Sequence, residues 1–437
     1  MIAVFMLNVF QLALTAAACW GLWRLWSRWF GAGDRRVAWI AGGGFVLRAL
    51  TAQALFWISY LRLPIARSMQ LGDGFWFFAI DGQWYLGFAI GLAHRGVQAI
   101  LFPDITYPSH IFVQLLAIAV AAFGGVASVA ILLNCAAYLA TCAIVVRLQP
   151  RAPLHVTLVA LAAVAFGPGT ILWSLQPLKD TFFQLLIAAA IAAFFCWQEL
   201  WRGDVRMARV ACTAAAMLAS TFALGGIRWY FAVILWAASL VFLLLVAWSA
   251  QRRAWAFVAG VILFVLLGQA ARLGGGTDIP KPVLQFLDAR PALSDTTRWV
   301  ARRRGKFEAQ PGATTIVPAA PTVSTRMVGG VAAVFLPRAI GQPLGLVRIG
   351  GSRAFWIFAE LDTLAFDLVV LFAVVYAARG LRSGRVKITP LFVLLLLVFV
   401  LTAGPLCYTV SNFGTLIRMR QMLYVIAAVL PLTMRRC

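Results

Sequence analysis

Asp81 is the side chain in this chain whose surroundings most favour chemistry. It lies in the stretch Phe75 to Gly96, FWFFAIDGQWYLGFAIGLAHRG, which follows a hydrophobic span. The flanking aromatic residues would remove part of the water around an ionised carboxylate, which is the condition that a general base needs. Tyr85 shares a helical stripe with Asp81, and Asp73 and Asp104 lie in the same loop, where all three would line a substrate. The alternative is that Asp81 caps or interrupts an interfacial helix.

Cationic residues at helix ends on the same side as Asp81 could bind a phosphate. Lys179 precedes Asp180, which would act as a supporting acid, at the start of an apolar span. Arginine and lysine bind phosphate and stabilise the negative charge that develops as it leaves. The alternatives are a local Lys179–Asp180 ion pair and arginines that extend to ordinary phospholipid headgroups. The candidate phosphate ligands are Lys179, Arg228, Arg418 and Arg420.

Composition indicates that most of the chain lies in a membrane. Of its 437 residues, 63% are hydrophobic and 12% are charged, and the mean hydropathy is +0.90. Soluble domains carry about 25% charged residues. The apolar runs are ~17–25 residues long, the length at which an α-helix crosses the hydrocarbon layer. The sequence therefore predicts an all-α polytopic membrane protein.

The net charge of +23 does not indicate nucleic-acid binding. The 37 basic residues are spread over short segments between the spans and one long loop, and the chain has no basic soluble domain to hold a duplex. Anionic lipid headgroups and lipid phosphates account for the charge. The three histidines and seven cysteines show no ligand spacing, so we expect neither a disulfide framework nor a structural metal site.

Hydropathy and the positive-inside rule predict about eleven transmembrane helices. Four arginines follow the first span and no basic residue precedes it, which predicts an outer N-terminus and argues against a secretory signal peptide. Alternation from there places the short Arg-rich segments and the C-terminus in the cytoplasm. The predicted spans are 2–20, 37–60, 126–146, 156–175, 182–197, 210–224, 229–248, 254–270, 354–378, 388–410 and 422–432.

Two long segments are predicted to face the outer compartment. The first, 61–124, holds Asp81 and ends in the apolar stretch 110–123, which we interpret as an interfacial helix and not as a crossing. The second, 272–353, is rich in Gly, Pro, Ala and Thr. The predicted regions are an N-terminal transmembrane module over 1–271 whose outer loop carries Asp81, a large outer loop over 272–353, and a C-terminal transmembrane module over 354–437.

Arg48 lies inside the second predicted span. A charge at the centre of a membrane helix costs ~2.5–3.5 kcal/mol on insertion scales, so such a residue is a functional candidate unless it has a partner. We expect an acidic partner from the ninth span, which would make Arg48 structural. The candidate partners are Glu360, Asp362 and Asp367.

The pattern around Asp81 resembles the GT-C superfamily of glycosyltransferases that use polyprenyl-phosphate sugars, such as the aminoarabinose transferase and protein O-mannosyltransferase families. Many members carry a second acid next to the catalytic one, whereas Gly82 follows Asp81 here, and one extra span precedes the one that normally comes first. The role of a divalent cation therefore stays open. The similar positions are Asp81, Tyr85, Ala89 and Gly96, then Tyr107 and Pro108 before an apolar helix, and the stretch 168–180, PGTILWSLQPLKD.

The resemblance implies an inverting sugar transfer on the outer face of a bacterial plasma membrane. Asp81 would deprotonate an acceptor hydroxyl, which attacks the anomeric carbon while the lipid phosphate leaves. The implied partners are a polyprenyl-phosphate-linked sugar donor, a glycan, lipid or protein acceptor, and the bilayer, with no nucleic acid and no assigned metal ligand. Two alternatives remain: a polymerase of surface-polysaccharide repeat units, and a transporter of lipid-linked sugars, which predicts charges at mid-membrane.

Overall fold

Helices account for nearly all regular structure in the part of the chain that is described. The computed structural model describes residues 2–29, 34–103, 109–148, 152–203, 205–276, 279, 323–346, 353–409 and 413–436. Within these ranges there are sixteen α-helices and two small two-stranded antiparallel sheets. Eight of the helices are long and apolar enough to cross a membrane, so the chain is a polytopic membrane protein.

The chain forms two compact units. The first comprises Met1–Arg147, Val164–Phe166 and Thr170–Ala188, and the second comprises Leu148–Ala163, Gly167–Gly169 and Ala189–Cys437. The first unit contains α1 (Ile2–Trp29), α2 (Arg35–Tyr60), β1 (Gln70–Gly72), β2 (Phe75–Trp76), α3 (Asp81–His94), α4 (Val97–Leu101), α5 (His110–Phe123) and α6 (Val129–Arg147).

Three helices contribute residues to both units. They are α7 (Leu154–Phe166), α8 (Pro168–Leu172) and α9 (Asp180–Leu200). The second unit then contains α10 (Met207–Ser249), α11 (Arg253–Gly275), α12 (Val323–Phe335), α13 (Arg338–Gly341), α14 (Arg353–Arg382), β3 (Val386–Lys387), α15 (Pro390–Thr409), α16 (Phe413–Val429) and β4 (Arg435–Arg436).

Helices α2 and α6 run antiparallel in the first unit. In the first half of α2, the Ala41 carbonyl oxygen accepts a hydrogen bond of 3.1 Å from the hydroxyl of Tyr138, the middle residue of α6. Towards the end of α2, Ala52 packs with Ile131 near the start of α6. The segment 61–124 therefore leaves and returns at the same end of the pair, and α5 within it, at fourteen residues, is too short to cross the hydrocarbon layer.

Helix α10 is a hairpin of two helical halves. Arg228 interrupts it with φ −145° and ψ 85°. A straight helix of its 43 residues would be about 64 Å long, yet the amide of Gln251, just after it, donates to the carbonyl oxygen of Trp201, just before it, at 3.4 Å. The chain therefore reverses at Arg228, and each half has the length of one membrane crossing.

Close backbone approach joins α11 to the turn of this hairpin. A side chain on Gly274 would place its Cβ 2.0 Å from the Phe222 carbonyl oxygen, so only glycine fits there. Earlier in α11, the Trp236 indole stacks on Phe264 and donates to the Phe264 carbonyl oxygen at 3.1 Å. Small residues that let backbones approach are a common means of helix packing in lipid, where burial from water does not drive association.

The predicted spans and the long apolar helices differ at three places. Spans 210–224 and 229–248 form the single hairpin α10. Span 156–175 corresponds to α7, which has thirteen residues and ends before Gly167, and to the separate short helix α8. Span 2–20 lies in α1, a helix of 28 residues whose side chains are described only in part, so it is not counted among the eight. Glycine and proline interrupt the apolar pattern between α7 and α8.

Replacing Gly274 with alanine tests the packing of α11 on the hairpin. The new methyl group would overlap the Phe222 carbonyl oxygen, so we expect a loss of about 1–3 kcal/mol in the free energy of unfolding, as for other overpacked sites. Gly260→Ala is the control, because its Cβ would meet Leu243 at an ordinary 3.6 Å. Thermal unfolding in detergent should show a lower Tm for Gly274→Ala alone, and equal shifts in both variants would contradict the packing.

Candidate functional site

Asp81 is the first residue of α3, at the end of the α2–α6 pair where 61–124 leaves and returns. Its side chain is half-buried. Two hydrogen bonds hold the preceding strand against the end of α2: the Trp76 indole donates to the Leu55 carbonyl oxygen at 2.8 Å, and the Ser59 hydroxyl donates to the Phe75 carbonyl oxygen at 2.5 Å. The position of the carboxylate is thus set by a membrane helix through a short, tightly held connection.

One turn after Asp81, the ring of Tyr85 faces an ammonium group. The ring is buried and meets Phe112 of α5 edge-on, with 5.5 Å between ring centroids. The Lys179 ammonium is 5.7 Å from the Tyr85 ring centroid and also donates a hydrogen bond to the Ser109 hydroxyl. A cation near an aromatic face is attracted by the ring quadrupole. These contacts bring α3, the start of α5 and the residue before α9 next to one another.

Buried amides bring the segment before α9 to this end of the first unit. Asn134, near the start of α6, donates to the carbonyl oxygens of Ser174 and Gln176 at 2.8 Å each. The Gln176 side chain donates in turn to the Gly74 carbonyl oxygen at 3.2 Å, in the turn of the β1–β2 hairpin. Irregular backbone in this region is therefore satisfied by side chains, as it must be where water is excluded.

Gly82, the neighbour of Asp81, is a glycine for a steric reason. A Cβ at this position would lie 3.3 Å from the Cδ atom and 3.4 Å from the carbonyl oxygen of Pro177. Contacts that close require the neighbour to move. A side chain at position 82 would therefore require Pro177, two residues before Lys179, to shift by a few tenths of an ångström.

The structure places the predicted site residues of the first unit at different locations. Asp81, Tyr85 and Lys179 lie at one end of it, and Asp180 begins α9 directly after Lys179 with 2% of its surface exposed. Asp73 is exposed in the β1–β2 turn, where its φ of 53° is one that Asp tolerates better than most residues. Asp104, with Tyr107 and Pro108, lies outside the described residues.

Sequence reasoning missed the polar residues that position these side chains. Ser109 receives the Lys179 hydrogen bond and precedes α5 in a left-handed conformation, with φ 60°. Asn134 and Gln176 are 3% exposed and hold the segment before α9. One signal in the sequence could have identified Asn134. A single amide side chain inside a membrane span needs a hydrogen-bond partner.

Within the second unit, Arg420 and Asp362 form an ion pair that is shielded from solvent. Their side chains are 1% and 0% exposed, and Arg420 Nη2 donates to Asp362 Oδ2. Arg420 Nη1 donates to the Val334 carbonyl oxygen at 3.1 Å and to the Thr363 hydroxyl at 2.9 Å. Asp362 Oδ1 accepts the Gly169 amide at 2.7 Å. The pair gives Arg420 partners within the second unit, and its predicted binding of phosphate stays a prediction.

Arg48, in the first unit, is held by backbone oxygens at the end of α7. It donates to the carbonyl oxygens of Val164 and Ala165 at 2.8 and 2.6 Å and to the Thr170 hydroxyl at 3.1 Å. Its guanidinium stacks 4.0 Å from the centroid of the Tyr138 ring. The last carbonyl groups of a helix lack intrahelical donors and carry partial negative charge, so a buried guanidinium satisfies both their hydrogen bonding and their charge.

The prediction that an acid of the ninth span pairs with Arg48 is wrong. Asp362 binds Arg420 instead. Glu360 accepts hydrogen bonds of 3.1 Å from the backbone amides of Arg338 and Ala339 and so caps the short helix α13. Arg48 binds carbonyl oxygens because the end of a broken helix lies within its reach. The local sequence around Arg48 does not reveal this neighbour.

Two further predicted phosphate ligands lie in the second unit. Arg228 is 5% exposed at the reversal of α10 and donates to the Tyr230 hydroxyl at 2.8 Å. Arg418 is half-buried in α16. Their binding of phosphate stays a prediction. Among the described residues, no three His, Cys, Asp or Glu side chains are grouped as a metal site would require.

Removing one member of the Arg420–Asp362 pair should cost more stability than removing both. Arg420→Met leaves a buried carboxylate without its counter-charge, so we expect a loss of about 3–5 kcal/mol in the free energy of unfolding. The double variant Asp362→Leu/Arg420→Met removes both charges and should recover at least half of that loss. Unfolding in detergent measures the difference, and additive losses in the double variant would contradict the pairing.

Comparison with known proteins found no match to this chain. No protein-family model, curated protein or solved structure matches the chain. Its function must therefore be inferred from the chemistry of the residues at the end of the first unit and from the short motifs they form.

Proposed function

We propose that the chain is an integral membrane glycosyltransferase of the GT-C type. It would have about eleven transmembrane helices, an outer N-terminus and a cytoplasmic C-terminus in a bacterial plasma membrane. It would move a sugar from a polyprenyl-phosphate carrier to a glycan, lipid or protein acceptor on the outer face. The observation that carries the proposal is the grouping of Asp81, Tyr85 and Lys179 at one end of the α2–α6 pair.

In this mechanism Asp81 is the general base. Its half-buried carboxylate takes the proton of the acceptor hydroxyl, and the acceptor oxygen forms a bond to the anomeric carbon of the donor sugar. The bond from that carbon to the phosphate oxygen of the carrier breaks at the same time, and its electron pair leaves with the phosphate. Attack from the opposite face inverts the anomeric configuration.

Lys179 is the cation best placed to serve the leaving phosphate. Its contacts with Tyr85 and Ser109 hold the ammonium one turn along α3 from the proposed base. A fixed donor aimed at developing negative charge needs no reorganisation during the reaction, and such donors contribute about 2.7–4 kcal/mol in acyl-transfer enzymes. Asp180, the next residue, is the supporting acid in this proposal.

Counted over the short segments between spans, basic residues support an outer location for this end; Arg62, Arg67 and Arg95 lie at the Asp81 end within the long segment 61–124. Arg35 and Arg36 begin α2 and Arg147 ends α6, so all three lie at the opposite end of the antiparallel pair from Asp81. Basic residues favour the cytoplasmic side of membrane spans. At that end, hydrogen bonds from the backbone and the side chain of Arg36 lower the pKa of Asp34, which caps α2.

A transporter of lipid-linked sugars is the second candidate, because buried charges and a broken helix within the membrane region are features of transporters. The charges of Arg48, Asp362 and Arg420 are, however, directed at backbone groups, hydroxyls and one another. That arrangement supports a structural role and favours the enzyme. A repeat-unit polymerase would use the same end of the first unit and differ in its acceptor.

Replacing Asp81 with asparagine tests the proposal. We expect sugar transfer to fall by at least about 10²-fold, since a general base contributes 10²–10⁴-fold, while membrane insertion is unchanged. Gln83→Ala, at an exposed position of the same helix, is the matched control. The measurement is mass spectrometry of lipid-linked sugars and surface glycans in a deletion strain complemented with each variant.

Three results would contradict the role of Asp81 or the proposed function. Full decoration of the acceptor by Asp81→Asn would exclude it as the base. Loss of outer-leaflet lipid-linked sugar in the deletion strain, with the donor retained in the inner leaflet, would indicate transport. Single repeat units on the carrier would indicate the polymerase.

A further inference from the structure

We propose that a groove beside the end of α14 binds an anionic phospholipid. The groove has a volume of about 880 Å³ and belongs to the second unit. One wall is a face of α14, the other includes Pro153 and His155 at the start of α7, and Val386 of β3 closes one end. None of its lining residues is among those proposed for sugar transfer.

The α14 wall is apolar over the length of one lipid leaflet. Its lining residues recur at spacings of three and four, so they form one stripe along the helix. From Leu368 to Arg379 the stripe is about 16 Å long, close to the ~15 Å of one hydrocarbon leaflet. The stripe thus offers an acyl chain a continuous surface that ends in a guanidinium. The apolar lining residues of α14 are Leu368, Leu371, Phe372, Val375 and Tyr376.

Two basic residues line the polar end of the groove, and two more lie on the strands next to it. Arg379 and Arg385 line it. Antiparallel pairing of β3 with β4 sets Lys387 opposite Arg435, which brings together basic residues that are far apart in sequence. Within the described ranges, the side chains of Arg379, Arg385, Lys387 and Arg435 form no ion pair. The cluster therefore offers uncompensated positive charge to a ligand.

An anionic phospholipid is the occupant that uses both parts of the groove. Guanidinium groups bind phosphate through paired hydrogen bonds, and the acyl chain covers the apolar stripe, where Leu368 and Leu371 are 65% and 57% exposed. A soluble anion would leave the stripe uncovered, and a zwitterionic lipid would leave net positive charge. The basic end is the one predicted to face the cytoplasm, where anionic lipids are concentrated.

Native mass spectrometry of the detergent-purified full chain tests the headgroup site. We expect phosphatidylglycerol to bind at least about tenfold more tightly than phosphatidylcholine of matched chains. The double variant Arg379→Ala/Arg385→Ala should lose that preference, because two charged hydrogen-bond donors are removed. Arg382→Ala is the matched control: this arginine is exposed on the same helix but does not line the groove, and its removal should change binding less than twofold.

A second pair of variants tests the acyl-chain site even if the arginine variants fail to fold. Val375→Trp fills the groove and should displace bound phosphatidylglycerol, whereas Val374→Trp, at a neighbouring exposed position outside the lining, should not. Equal binding of the two phospholipids, or equal losses in Val375→Trp and Val374→Trp, would overturn the proposal. Tenfold tighter binding of a polyprenyl phosphate than of phosphatidylglycerol would overturn it too, because the occupant would then be a carrier lipid.

Discussion

The hydrocarbon layer offers no water to the backbone, and this constraint accounts for where the buried charges of the chain lie. The apolar run that begins with α7 breaks after thirteen residues, so carbonyl and amide groups near the break lose their helical partners. Arg48 donates hydrogen bonds to the carbonyl oxygens at the end of α7. Asp362 accepts a hydrogen bond from the Gly169 amide, and Arg420 balances the charge of Asp362. These three charged side chains allow a broken helix in a region where a bare break would be costly.

Polar groups that are satisfied in this way are not available to a substrate, so the candidate chemistry lies at helix ends. At one end of the first unit, α2 and α6 hold a compact segment in which Asp81 begins α3 and Lys179 precedes α9. Tyr85 links the two through its packing on α5 and its contact with the ammonium. A base and a cation on rigid, cross-linked elements suit proton transfer to one group and charge stabilisation on another.

Local pattern was sufficient to predict the all-α membrane class, most helix positions and a helix that carries Asp81 and Tyr85, because hydropathy and helical period are properties of contiguous residues. It could not predict pairings between distant residues. Asp362 and Arg420 are 58 positions apart, and Arg48 meets carbonyl groups 116 and 117 positions away. The role of Gln176 could not be predicted for the same reason, because it depends on Gly74, which only the fold brings near.

The proposed sugar transfer requires that the Asp81 end of the first unit face the outer compartment and that the end with Arg35, Arg36 and Arg147 face the cytoplasm. Labelling of intact cells with a membrane-impermeant maleimide tests it, using single cysteines at exposed positions in a chain whose seven cysteines have been replaced. We expect Gln83→Cys to be labelled in intact cells and Arg36→Cys only after permeabilisation. The reverse pattern would contradict the outer location of Asp81 and, with it, the proposed sugar transfer.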